Sequence, residues 1–226
     1  MSDDCSENYE PTDSESIDAR SAEHAVLVPL TADGPVLTCV DGTNADLFAE
    51  VAQFYLRPGD RVADVTFGRG TFWKNLATNL YDLVQTDLVG GIDFRSLPYE
   101  DASLDALVLD PPYMHGGKTV KASINDLYRN ENTSHESIVA LYLGGFLEAR
   151  RTLRRDGLLF VKTQPEIESG KQRMTHMELA TVLPMIGFRI EDEFVLHSSA
   201  VPAMREQYQK HARKNHSFLY VARLTR

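Results

Sequence analysis

Apolar positions recur along this chain with two alternating periods. In NADLFAEVAQFYL, 44–56, Leu47, Val51 and Phe54 stand at i, i+4 and i+7, the spacing of one helical face, with Thr43 or Asn44 as the cap. RPGD, 57–60, breaks that pattern, and RVADVTF, 61–67, follows as a short strand. GRG then bends the chain toward a second helix expected over TFWKNLATNLY, 71–81, and YDLVQTDL, 81–88, reads as another strand. GIDFRSLPYEDAS, 91–103, reads as a loop with at most a short strand, before the apolar run LDALVL, 104–109.

That run ends abruptly in Asp110-Pro111-Pro112-Tyr113. Proline cannot donate to a strand ladder, so two in succession stop the strand. A polar loop, 114–134, separates it from a long helical stretch, Ser134 to Arg155, closed by Asp156-Gly157. LLFVKT, 158–163, is the next strand, HMELATVLPMIGF, 176–188, a helix, and RIEDEFVLH, 189–197, and HSFLYVARL, 216–224, the last two strands. Strands alternating with helices predict a mostly parallel sheet covered on both faces. The last two strands, joined only by a loop, suit an antiparallel pair at the sheet edge. No internal repeat is visible.

With 226 residues and 42% hydrophobic content, the chain can bury a core of ordinary domain size. The opening segment, 1–22, is rich in Ser, Asp and Glu and is expected to stay disordered outside a single domain spanning 23–226. Its composition changes the meaning of the net charge of −10, which by itself argues against a polyanionic partner. Residues 1–20 hold seven acids against Arg20, whereas residues 205–226 hold six Lys and Arg against Glu206. Cys5 and Cys39 form neither a disulfide framework nor a metal-ligand set, and His211 and His216 lack a metal constellation. No metal is expected. No apolar run approaches the ~18 residues of a membrane span, and no leader pattern opens the chain, so a soluble intracellular protein is expected.

Two turns carry candidate chemistry. Asp64-Val65-Thr66-Phe67-Gly68-Arg69-Gly70 lies between a strand and a helix, where Gly68 and Gly70 let a ligand approach the backbone at the carboxyl edge of a sheet. Asp87 follows 17 residues after Gly70 at the end of the next strand, where an acid can accept both hydroxyls of a ribose. Together they favour an adenosine-containing cofactor. A plain strand-to-helix turn and a solvated turn acid are the bland readings of the same residues.

With Asp110-Pro111-Pro112-Tyr113 added, the sequence resembles the S-adenosylmethionine-dependent amino-methyltransferases that act on adenine-N6 or cytosine-N4 in DNA. The resemblance covers about residues 41–225, and the glycine turn preceding the DPPY turn fits one of the family's permuted groups. It implies a Rossmann-like, mostly parallel seven-stranded sheet with helices on both faces and an antiparallel edge strand, the class I methyltransferase fold. It also implies a cytoplasmic protein of prokaryotic or phage origin, with S-adenosyl-L-methionine as cofactor and DNA as partner.

By that resemblance the glycine turn, with Asp64, Thr66, Phe67, Gly68 and Gly70, holds the cofactor, Asp87 its ribose, and Asp93 and Phe94 its adenine. Thr43 at a helix start would meet its carboxylate. Asp110 and the Pro111 carbonyl would accept hydrogen bonds from the exocyclic amine, localising its lone pair, with Pro111 and Pro112 holding both acceptors rigid. Tyr113 would stack on a base flipped from the duplex. Lys118, Lys121 and Arg129 beside the turn, and Lys210, Arg213 and Lys214 before the last strand, are candidates for phosphate contacts. The aromatic usual two positions before the first glycine is Thr66 here, with Phe67 one place later. No separate target-recognition domain is evident, so specificity is expected to be short, loop-borne or supplied by a partner, and the candidate assemblies are a homodimer and a complex with a specificity partner. Adenine is favoured because aspartate begins the turn. An RNA base methyltransferase and a non-catalytic nucleic-acid-binding subunit are the alternatives.

Overall fold

The computed structural model describes residues 35–112, 134–199 and 210–225. The acidic opening segment lies outside them, as do Tyr113, Lys118, Lys121 and Arg129.

The elements run β1 (Cys39–Asp41), α1 (Asn44–Tyr55), β2 (Arg61–Asp64), β3 (Asp82–Gln85), β4 (Leu104–Leu109), α2 (His135–Thr152), β5 (Leu153–Thr163), β6 (Glu166–Glu168), β7 (Lys171–Arg173), α3 (Thr175–Met185), β8 (Phe188–His197) and β9 (His216–Leu224). Seven strands form one sheet in the order β1-β8-β9-β5-β4-β2-β3. All neighbours are parallel except β9, which runs antiparallel to both β5 and β8. The seven-stranded, mostly parallel α/β architecture is the expected one. The position of the reversed strand differs from expectation, because β9 lies inside the sheet and not at its edge. β1, too short to register as a periodic pattern, pairs with β8 and takes the edge that β8 would otherwise leave open.

Each face has its own core. On one side α1 buries Leu47, Phe48, Val51 and Ala52 against Val108 and Phe160. The buried stripe is thus rotated from the expected one, and Phe54 is only half-buried. On the other side α2 presents Ile138, Tyr142, Phe146 and Ala149, at helical spacing, to Leu109 and Val161. The loop before β4 is strapped to α2 by Arg151, whose Nη atoms donate to the carbonyls of Tyr99 at 2.7 Å and Leu97 at 3.0 Å.

The second expected helix does not form. Residues 71–81 contain two separate 3-10 turns, Thr71–Trp73 and Thr78–Leu80. Phe72 and Trp73 are sequence neighbours, yet both rings lie 5.1 Å from Phe48, centroid to centroid, which pulls the chain flat onto α1. The remainder, Lys74 to Asn79, is rich in Asn and Thr, whose side chains compete with the backbone for hydrogen bonds and disfavour helix interiors. A second departure is the β6–β7 hairpin in the polar stretch after β5. Ser169 at φ 49° and Gly170 at φ 76° form its two-residue loop, the positive-φ pair that matches hairpin twist.

Candidate active site

β2 and β4 run side by side in parallel, so the glycine turn and the DPPY turn leave the sheet at the same edge. After β2 the chain turns sharply: Gly68 has φ 52° and Gly70 φ 63°, and the Gly70 amide donates to the Phe67 carbonyl at 2.8 Å. A Cβ on Gly70 would stand 2.7 Å from the Phe67 ring, so the residue at 70 must lack one on both steric and conformational grounds.

Asp64 closes β2 and is 3% exposed. Its Oδ2 accepts the Trp73 indole N–H at 2.8 Å and its Oδ1 the Thr66 amide at 3.1 Å. Burial nevertheless dominates and pushes its carboxyl up to about 7, with Asp110 adding in the same direction and the two hydrogen bonds opposing.

Thr66 joins the two turns. Its Oγ1 accepts the Asp110 amide at 2.7 Å across a sequence gap of 44 residues. With that amide satisfied, the strand can stop at Leu109 and present the next side chain beyond the ladder. Asp110 is partly exposed as a residue, but its Oδ1 is buried and has no hydrogen-bond partner among the described residues. Burial raises its carboxyl above the ordinary carboxylate range, and the Lys162 ammonium pulls the other way. Pro111 is buried and Pro112 half-buried behind it.

The other expected residues have varied surroundings. Thr43 is the N-cap of α1: its Oγ1 accepts the Asp46 amide at 3.3 Å and donates to Asp46 Oδ2 at 2.7 Å, while the Thr43 amide also donates to that carboxylate. Thr43→Ala is expected to cost about 1 kcal/mol and Thr43→Ser almost nothing. A thermal melt in which the two variants are equal would remove the capping account. Asp87 Oδ1 accepts the Gly90 amide at 2.6 Å in the turn after β3. Asp93 is held by Arg95 through a 2.6 Å ion pair, and the Phe94 ring lies over Gly145 of α2 and packs against the α2-side core. Lys210 and Arg213 are exposed and Lys214 half-buried, just before β9. Because β9 is reversed, its start lies at the same sheet edge as Asp110.

Two groups of buried polar side chains were not foreseen. Lys162, 1% exposed near the end of β5, donates from Nζ to Ser217 Oγ at 2.7 Å. The sequence signal for it is a lone cation closing an otherwise apolar strand, LLFVKT. The second group centres on His135, the first residue of α2. Its Nδ1 lies 3.1 Å from Glu166 and its Nε2 3.0 Å from both carboxylate oxygens of Glu178. Burial lowers the imidazole, but the two carboxylates outweigh it and raise it overall, so the group ties the start of α2 to the hairpin and α3 as an ion cluster.

No protein-family model matches the chain, and no curated protein matches it. Solved structures do. A candidate methyltransferase from Bacillus halodurans superimposes with a TM-score of 0.52 at 15% identity, covering 82% of this chain and 100% of that one. TrmN from Thermus thermophilus superimposes with a TM-score of 0.50 at 19% identity, covering 80% of this chain. A candidate DNA modification methylase, also from Thermus thermophilus, gives 0.41 at 14% identity over 74% of this chain. The chain spans about half the length of the last two, 48% and 53% respectively. Among the described residues no helix is long and apolar enough to cross a membrane. The seven-stranded, mostly parallel sheet with its one reversed strand and flanking helices, together with the likeness to the Bacillus halodurans structure, establishes that the chain has the class I methyltransferase fold.

Proposed function

We propose that the chain is an S-adenosylmethionine-dependent methyltransferase acting on the exocyclic amino group of a base in DNA, with adenine-N6 the favoured acceptor. The observation that carries this reading is the Asp110 carboxylate, held at the strand end by the Thr66 bond to its amide, with Oδ1 buried and unpartnered among the described residues. A buried acceptor without a donor is costly, and an amine N–H from a substrate satisfies it.

When bound, the cofactor supplies a methyl group on a positively charged sulfur. Gly68, exposed at φ 52°, leaves backbone within reach of such a ligand at the edge next to Asp110. Asp87 would take the ribose, and Asp93 and Phe94 the adenine, at the same sheet edge. The α1 N-terminus at Thr43 would face the carboxylate of the methionine moiety.

Asp110 Oδ1 and the Pro111 carbonyl accept the two amine hydrogens, which draws the nitrogen toward tetrahedral geometry and aims its lone pair at the methyl group. Once the nitrogen carries the methyl group it would hold one proton in excess, which Asp110 would accept and pass to solvent. Tyr113, one residue past Pro112, would offer a stacking face to the flipped base. Lys210, Arg213 and Lys214, with Lys118, Lys121 and Arg129, would bind backbone phosphates.

The test is incubation with methyl-labelled S-adenosylmethionine and either DNA or RNA, followed by nucleoside analysis. N6-methyladenine in DNA is the expected product. N4-methylcytosine would change the base, label confined to RNA would change the substrate class, and cofactor binding without transfer to either would indicate a non-catalytic nucleic-acid-binding subunit.

A further inference from the structure

A lysine in the middle of a core is expensive, and a hydrophobic residue of similar volume would pack there at least as well. Lys162 nevertheless sits between β4 and β9 near the carboxyl end of β5. Leu109 is paired with Val161, so the next residues, Asp110 and Lys162, are neighbours across parallel strands whose backbones lie about 4.8 Å apart. Two positions earlier, Val108 and Phe160 both belong to the core beneath α1, and strand alternation therefore puts Asp110 and Lys162 on that same face.

The lysine is fixed from both ends. Tyr142 Oη donates to its carbonyl at 2.7 Å, and its Nζ donates to Ser217 on β9 at 2.7 Å. Among the described residues, Lys162 on β5 favours the ionised form of Asp110, and the Asp110 charge pushes Asp64 on β2 upward. Trp73 from the turn above and Ser217 from β9 are neutral. Asp110 is in turn the charge that favours the ionised form of Lys162, against its burial.

A buried carboxyl beside a second acid would take up a proton. It would then keep one acceptor oxygen and gain an O–H, the wrong polarity for an incoming amine. On the methyltransferase reading above, we propose that Lys162 is a positioning residue for the reaction: its ammonium, anchored by Ser217, keeps Asp110 a carboxylate with both oxygens able to accept.

The experiment is a carbon-13 titration of the Asp110 carboxyl in the full chain without cofactor or substrate, assigned with Asp110→Asn. Lys162→Met is expected to raise the Asp110 midpoint by about one pH unit or more, and Lys162→Gln to do the same. In methylation assays the acid limb of the rate profile should rise by the same interval. On that acid limb the rate should then fall about 10-fold for each pH unit the limb moves, while the KM for the cofactor holds. An unchanged midpoint in folded Lys162→Met and Lys162→Gln overturns the inference. Should both fail to fold, Ser217→Ala, which removes only the Nζ anchor, must move the midpoint upward, and no movement overturns it. Wild-type chain that transfers no methyl group instead overturns the reading on which the inference rests, and the titration still reports whether Lys162 controls Asp110.

Discussion

Asp110→Ala is expected to lower methyl transfer by at least about 10³-fold while S-adenosylmethionine binding changes less than about threefold. The asymmetry follows from placement. The side chain removed is the one whose Oδ1 has no partner among the described residues, so its loss breaks no hydrogen bond of the fold at that atom. The bond that links the two turns uses the Asp110 backbone amide and the Thr66 hydroxyl, and alanine retains that amide. The cofactor turn should therefore keep its shape while the amine loses its acceptor. Calorimetric titration with the cofactor and a single-turnover transfer assay separate the two quantities. Loss of cofactor affinity in parallel with loss of transfer would show that Asp110 is part of the cofactor's binding site and not an acceptor for the amine.

Asp64→Asn is expected to reverse the usual expectation that removing a buried acid's charge weakens its hydrogen bonds and destabilises the fold. In the folded chain this carboxyl is pushed up to about 7, against 3.8 in the unfolded chain. Between those values the fold binds a proton that the unfolded chain does not. Stability from this group is thus fully present at low pH and declines as pH rises toward and through 7. The interval corresponds to roughly 4 kcal/mol.

The amide keeps one acceptor oxygen for the Trp73 indole and never ionises, while its NH2 takes the place of the oxygen that accepts the Thr66 amide, at a cost that does not change with pH. The melting temperature of Asp64→Asn should therefore move in the variant's favour relative to wild type between about pH 4 and pH 7, by about 8–16 °C in all. A wild-type melting temperature that gains on the variant over that interval would sink the account. The same property matters for function, because a bound cation near this turn would draw Asp64 into its charged form and recover part of the burial cost.

Much of the architecture is legible from local chemistry. The core strands LDALVL and LLFVKT and the helix over 135–152 stand out because apolar period and breaker residues are properties of short stretches. Failures occurred where a long-range contact overrode the local pattern. Phe72 and Trp73 read as part of a helix, but docking on Phe48 and the bond from the indole to Asp64 hold the segment in tight turns. Cys39–Asp41 carries no strand period of its own and becomes a strand only because β8 offers it an edge. The Ser169-Gly170 pair was a readable hairpin signal, hidden by the absence of apolar alternation on either side.

The candidate site divides in the same way. Sequence alone determined the order of the glycine and DPPY turns and the residues within each, since proline and glycine act on the backbone where they stand. Which side chains meet there was decided only by the tertiary structure, through the pairing of β2, β4, β5 and β9. That pairing sets Thr66 under the Asp110 amide, aligns Asp110 with Lys162, and brings Ser217 to the lysine from a strand 55 residues further along the chain. A lone lysine in an apolar strand has no meaning until its neighbours are known, because its charge acts over a few ångströms in space and not along the sequence.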